Sequence, residues 1–132
     1  MKEIIINTTA GRGYSKKIQT QLLQFFSNNF ENYHISYTKG PLHATELAAS
    51  AVKSGAEEVI SVGGDGTALE VLAGIHEKDT LMSVFPAGTG NDLVKSLGFS
   101  TKLDEFLYQY KNYNPKKLYF YRYLAKAFQQ LV

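Results

Sequence analysis

Apolar positions along the chain alternate between two periods. Glu3-Ile4-Ile5-Ile6-Asn7 is a β-branched run too short for a helix; it predicts a first strand that stops at Thr8-Thr9-Ala10-Gly11-Arg12-Gly13. Ile18, Leu22, Phe25 and Phe26 then repeat at helical spacing to about Asn28, where Asn28-Asn29 supplies a stop. Tyr33 to Thr38 alternates at period two and predicts a second strand, broken by Gly40-Pro41. Leu42 to Ser54 is Ala-rich, with an apolar stripe at Leu47, Ala48 and Val52, and Gly55 stands where a helix C-terminal glycine would. Glu58 to Val62 is a third strand running into Gly63-Gly64-Asp65-Gly66-Thr67, and Leu69, Leu72, Ala73 and His76 continue as a helix. Leu81 to Phe85 is a fourth strand, followed after Pro86 by a short helix over Asp92 to Leu97, closed by Gly98, and another over Leu103 to Tyr110.

Strands separated by helical stretches imply parallel β-α-β units, so the predicted fold class is α/β, a parallel sheet covered by helices. Lys116 to Val132 is rich in Leu, Tyr and Phe and reads two ways: Lys117 to Tyr121 as a strand, Tyr123 to Leu131 as an amphipathic helix. Val132 follows with no capping glycine or polar tail, so a further domain is expected after it. The expected division is a domain over residues 1–111 and a tail over residues 112–132 leading to that second domain.

Composition narrows the function. With 132 residues and 44% hydrophobic content, the chain fits one globular core. No cysteine is present, which excludes disulfide scaffolds, thiolate metal sites and Cys nucleophiles. A net charge of +2 without a basic run argues against a nucleic-acid partner. No apolar run approaches the roughly 20 residues of a membrane span, and a soluble, cytoplasmic protein is expected.

The candidate chemistry lies where parallel α/β sheets place it, in the loops after the strands. Three such loops carry glycine: Asn7 to Gly13, Gly63 to Thr67 and Pro86 to Asp92. A phosphate needs close backbone approach, several N–H donors and a helix N-terminus, and glycine permits the approach. One such loop is more often only a tight turn; three at one sheet edge point to a ligand. Within Gly63-Gly64-Asp65-Gly66-Thr67, Asp65 reads either as a helix N-cap or as a carboxylate facing a metal–phosphate cluster. Thr67 reads as a cap or as a phosphate hydrogen-bond donor.

Gly63-Gly64-Asp65-Gly66-Thr67, followed about twenty residues on by Pro86-Ala87-Gly88-Thr89-Gly90-Asn91-Asp92, resembles the catalytic domain of the diacylglycerol, sphingosine and ceramide kinase family, its bacterial branch especially. Asn7-Thr8-Thr9-Ala10-Gly11 is similar to that family's first loop, with Thr8 in place of its usual proline. Thr38-Lys39-Gly40 with His43 to Ala48 is similar to its second loop and helix. The resemblance covers roughly Lys2 to Phe106.

It implies a three-layer, Rossmann-like domain of the NAD-kinase and phosphofructokinase type, with helices on both faces of the sheet. It implies an ATP- and Mg²⁺-dependent lipid kinase, with Asn7, Thr8, Thr9, Ala10, Gly11, Thr38, Gly63, Gly64, Asp65, Gly66, Thr67 and Thr89 lining the nucleotide site. Asp65 would be the catalytic residue, acting through Mg²⁺-ATP, and no separate metal-ligand set is expected. Glu70 matches a family position, with a structural salt bridge as its other reading; Asn91 and Asp92 are expected to hold their loop's shape; His43 is expected to pack or cap. The lipid would carry a free hydroxyl, as diacylglycerol does, with a weak peripheral membrane contact and a possible homodimer through the aromatic tail. The family's acidic metal cluster and general base lie in a second domain, so this chain is expected to be the nucleotide half. Two alternatives are an NAD kinase-like enzyme, which shares the Gly-Gly-Asp-Gly-Thr loop, and a non-catalytic nucleotide-binding module.

Overall fold

The structure, a computed structural model, describes residues 1–75 and 79–112. Its elements are β1 (Lys2–Ile6), a 3₁₀ turn (Ala10–Gly13), α1 (Tyr14–Lys17), α2 (Gln19–Asn29), β2 (Tyr33–Tyr37), α3 (His43–Lys53), β3 (Glu58–Gly63), α4 (Asp65–Ile75), β4 (Leu81–Pro86), α5 (Asp92–Ser96) and α6 (Leu103–Lys111). Four strands form one sheet in the order β2-β1-β3-β4, and every neighbouring pair is parallel. The two readings of residues 117–131, and the helical position of His76, lie outside the described residues.

Continuous apolar strands belong where both faces of a sheet are covered. Ile4, Ile5 and Ile6 of β1 are fully buried, and all six residues of the neighbouring β3 are buried. On one face, Ile4, Ile6, Ile60, Val62 and Phe85 pack with Ile18, Leu22 and Phe26 and with Leu93, Leu103, Phe106 and Leu107. On the other, Ile5 and Val59 pack against Ala44, Ala48 and Ala51 of α3 and Val71 and Ile75 of α4. The expected three-layer arrangement is thus present. Each large apolar side chain buried this way contributes about 1.5–3 kcal/mol, and Phe85 adds ring contacts to Phe26 at 5.6 Å and Phe106 at 4.7 Å.

Two elements differ from the periodic reading. The buried stripe of α3 is Ala44, Ala48 and Ala51, with Leu47 and Val52 only half-buried. The cause is how closely α4 passes. A Cβ on Gly74 would stand 2.5 Å from the Thr45 carbonyl oxygen and 2.9 Å from Ala48 Cβ, so only small residues fit between the helices. Before α2, the chain makes a left-handed turn at Gly11, Arg12 and Gly13 (φ 62°, 57° and 90°), then the single turn of α1. The glycines before and after Arg12 make that turn accessible.

The strand starts hold the buried charge. Glu3 is met by His34 Nδ1 at 2.9 Å and by the Ser36 hydroxyl, both on the neighbouring strand. Glu58 accepts hydrogen bonds from Lys2 Nζ at 2.6 Å, Ser83 Oγ at 2.6 Å and Tyr110 OH at 2.7 Å. Tyr110 therefore docks α6 onto the sheet, and burial, reinforced by the Glu58 charge, pushes its phenol well above the ordinary value. A raised acid pKa in the folded state means stability that is present below the unfolded value near 10.0 and lost as pH rises past it. The stability advantage of wild type over Tyr110→Phe is expected to be about 1 kcal/mol near neutrality and to shrink steadily above about pH 10. Urea unfolding of both proteins across that range measures it; a pH-independent difference would contradict it.

Candidate functional site

At the carboxyl ends of the strands lies a cleft of about 680 Å³, within the usual span of small-molecule sites. Its wall comes from four loops. Asn7, Thr9, Ala10 and Gly11 follow β1; Thr38 to Pro41 follow β2; Gly64 to Thr67 and Glu70 follow β3; Gly88, Thr89 and Gly90 follow β4. Of the twelve expected residues, Asn7, Thr9, Ala10, Gly11, Thr38, Gly64, Asp65, Gly66, Thr67 and Thr89 meet here, whereas Thr8 and Gly63 do not line the wall. Gly63 sits behind it: a Cβ there would stand 2.6 Å from Thr67 Oγ1, so its bareness lets the Thr67 side chain fold back over the strand end.

Backbones approach each other at two points where no side chain would fit. A Cβ on Gly11 would lie 2.5 Å from the Ala87 carbonyl oxygen, and one on Gly88 would run into Gly64 Cα. The cleft floor is therefore largely bare main chain. The first N–H groups of α4, which have no acceptor inside the helix, lie in this wall. Lys39 brings an exposed ammonium-bearing residue to the rim. Donor-rich backbone beside a cation suits an anionic ligand such as a phosphate chain.

Side chains on α4 tie the other three loops in place. Thr67 Oγ1 accepts from Asn7 Nδ2 at 3.0 Å. Asn7 Oδ1 in turn accepts the Thr9 N–H at 3.1 Å and the Thr9 hydroxyl at 2.8 Å, an Asx turn that shapes the β1 loop. Glu70 Oε1 accepts the Leu42 N–H at 2.6 Å, where Leu42 holds a left-handed φ of 67°, and the Glu70 carbonyl accepts from Thr45 Oγ1. Asp65 reaches across to the β4 loop: its Oδ2 accepts the Asp92 N–H at 3.0 Å and its Oδ1 the Leu93 N–H at 3.1 Å.

Several roles thus differ from expectation. Asp65 caps a helix, but α5 rather than its own. Thr67 engages Asn7. The carboxylate of Glu70 binds a backbone N–H where a salt bridge was one reading, because α4 runs beside the start of α3. Asn91 does hold its loop's shape: its amide donates to the Gly88 carbonyl at 3.1 Å and accepts the Gly88 N–H at 2.9 Å. His43, the first residue of α3, takes the Lys39 N–H on Nδ1 at 2.9 Å and so braces the turn before the helix rather than capping it.

Sequence reasoning passed over Lys39, Gly40, Pro41, Gly88 and Gly90 as wall residues. Gly88 and Gly90 stand inside the Pro86–Asp92 motif, Lys39 and Gly40 inside the second-loop resemblance, and Pro41 reads in sequence as a strand break. Nothing in the local sequence signals the left-handed Leu42, which carries neither glycine nor asparagine.

Comparison with known proteins gives one picture. The diacylglycerol kinase catalytic domain matches residues 3–121, which extends past the Phe106 limit of the sequence resemblance. A diacylglycerol kinase of Bacillus subtilis (strain 168) is 36% identical over 97 residues, 72% of this chain and 32% of that protein. Sphingosine kinase 1 of Arabidopsis thaliana is 30% identical over 102 residues, covering 71% and 21%. A crystal structure of a diacylglycerol kinase from Bacillus anthracis str. Sterne superposes with a TM-score of 0.75 at 27% identity, over 83% of this chain and 39% of that one. The chain spans about a fifth to a third of the length of these curated relatives.

Gly88→Ala tests the contact between the β3 and β4 loops. Its Cβ has no room against Gly64, so the variant is expected to lose about 1–3 kcal/mol of stability. Gly66→Ala, whose Cβ would meet nothing within 4 Å, should lose far less. Equal urea midpoints for the two would show that the loops do not touch.

Proposed function

The chain belongs to the diacylglycerol kinase catalytic domain family, and from that premise we propose that it is the nucleotide-binding half of an ATP-dependent lipid kinase. The reaction proposed is transfer of the ATP γ-phosphate to the free hydroxyl of a diacylglycerol-like lipid. The observation that carries it is the cleft itself, floored by bare backbone from Gly11, Gly64, Gly66, Gly88 and Gly90 and entered by the first turn of α4.

The fit to a nucleotide rests on that floor. A side chain at Gly64 would project beside Gly88 on the surface a phosphate must approach. Gly64, Gly66, Thr67 and Thr89 would hold the phosphates through N–H groups and hydroxyls, while Thr38 and the β1 loop would border the rest of the nucleotide. Among the described residues no group of three or more His, Asp or Glu could hold a metal ion, so magnesium would enter with the phosphates. Bound Mg²⁺-ATP supplies the phosphoryl group and the charge neutralisation its transfer requires. The chain's own residues bind and orient it, and the fixed loops keep the phosphates from turning in the cleft.

Acceptor activation we assign to length that the relatives have and this chain does not span. Among the described residues, the carboxylates in the cleft wall, Asp65 and Glu70, both accept backbone N–H groups. That arrangement also favours the second reading, a module that binds nucleotide without transferring from it. The lipid-kinase relatives favour the first reading over an NAD kinase-like enzyme. No helix among the described residues is long and apolar enough to cross a membrane. A peripheral, salt-sensitive bilayer contact, a cytoplasmic location and self-association belong to the same proposal.

Calorimetric titration with Mg²⁺-ATP is expected to show binding by the 132-residue chain and none by Gly64→Asp, whose carboxylate would face the phosphates. Circular dichroism should show the variant folded. Unchanged affinity in Gly64→Asp would overturn the site. The chain alone should leave diacylglycerol in mixed micelles unphosphorylated, and phosphatidate production would refute its being half a catalytic unit.

A further inference from the structure

We infer that Asp65 is a positioning residue: its carboxylate holds the first turn of α5, and with it the Pro86–Asp92 loop, against the start of α4, and it acts on a bound nucleotide through that loop. The inference rests on the nucleotide reading above and assigns Asp65 a role different from a carboxylate serving a metal ion.

Three observations carry it. First, α5 has no cap of its own. Asn91 occupies the N-cap position at a left-handed φ of 53°, makes no side-chain cap bond, and has its amide committed to Gly88. A helix start needs acceptors for its leading N–H groups. Those of Asp92 and Leu93 find theirs on the two oxygens of Asp65, at 3.0 and 3.1 Å, from a different strand-to-helix unit. Second, the tie holds wall-forming backbone. Gly88 and Gly90 line the cleft, Gly88 rests on Gly64, and a Cβ on Gly90 would lie 3.6 Å from Asp65 Oδ2. Freed from Asp65, the β4 loop keeps the Ala87 N–H bond to the Gly63 carbonyl, its contacts with Gly11 and Gly64 and the buried Leu93 and Val94, but loses the hydrogen bonds that join the start of α5 to the start of α4. Third, the described residues form no set of three or more metal-ligating side chains around Asp65; the carboxylate near it is that of Asp92, on the helix it holds. Each Asp65 oxygen is already turned to a backbone donor.

A metal-serving carboxylate and a loop-positioning one differ in what happens without metal. The experiment measures ADP affinity of wild type, Asp65→Ala and Asp65→Asn, each in Mg²⁺ and in excess EDTA, alongside amide hydrogen exchange by NMR. In Asp65→Ala, ADP affinity is expected to fall about tenfold, by the same factor in both buffers, as befits the loss of a helix cap. Exchange at Asp92 and Leu93 should quicken by about tenfold or more, while the strand amides of Ile5 and Ile60 keep their protection. Asp65→Asn keeps one acceptor oxygen and should fall between wild type and Asp65→Ala in both readouts. Should Asp65→Ala fail to fold, the Asn variant carries the comparison alone. A loss of affinity confined to the Mg²⁺ buffer, or unaltered exchange at Asp92 and Leu93, would overturn the assignment. Wild type binding no ADP in either buffer would defeat the nucleotide reading itself, and the exchange measurement would still decide what Asp65 holds.

Discussion

Helix α4 begins where four loops must meet, and within six residues it sends a side chain to each of the other three. Asp65 takes the β4 loop, Thr67 the β1 loop and Glu70 the turn after β2. A parallel sheet delivers its loops to the same edge, but it does not by itself fix their separations, which are set by flexible chain rather than ladder hydrogen bonds. The three ties convert a shared edge into a cleft of defined width. Each joins side chain to backbone or to a side chain that shapes backbone, so the geometry transmitted is that of main-chain donors. The glycines complete the device: between Gly64 and Gly88, and between Gly11 and Ala87, loops are separated by the thickness of bare backbone.

The sheet divides its labour between its ends. At the strand starts, buried Glu58 gathers Lys2, Ser83 and Tyr110, and Glu3 gathers His34 and Ser36. Such carboxylates are costly to bury unless every oxygen is met, and here partners arrive from neighbouring strands and from α6. At the strand ends, polar groups are instead partly open to the cleft, among them the first turn of α4. The buried carboxylates and the cleft thus lie at opposite edges of one layer, and substitutions at one edge should leave the other largely untouched.

Much of this was legible in the chain because it depends on local rules. The β-branched runs, the helical spacing of Ile18, Leu22 and Phe26, and the terminating Gly55 and Gly98 all reflect propensities that act over a few residues. The gathering of glycine-containing loops at one sheet edge was legible too, since a parallel sheet delivers its strand-to-helix loops there. What could not be read depends on contacts between distant segments. The narrow α3 stripe follows from Gly74 on another helix. The partners of Glu58 follow from strand register. Asp65 looked like the start of α4 and is, yet its oxygens serve α5, 27 and 28 residues further on. Leu42 holds a left-handed turn that its own side chain disfavours, and the Glu70 carboxylate on its N–H compensates. The family motifs mark Asp65 and Glu70 without saying which loop each one holds.

The central claim, that loops gathered around the start of α4 form one phosphate-accepting cleft, is tested most directly by NMR titration of the isotopically labelled chain with Mg²⁺-ATP. The account predicts that amide shifts concentrate at Gly11, Thr38, Gly64, Gly66 and Thr89, four loops responding together with one apparent affinity, while Lys2, Glu58 and Tyr110 at the opposite edge stay still. Shifts centred on the strand starts, or an unperturbed spectrum at saturating nucleotide, would contradict it.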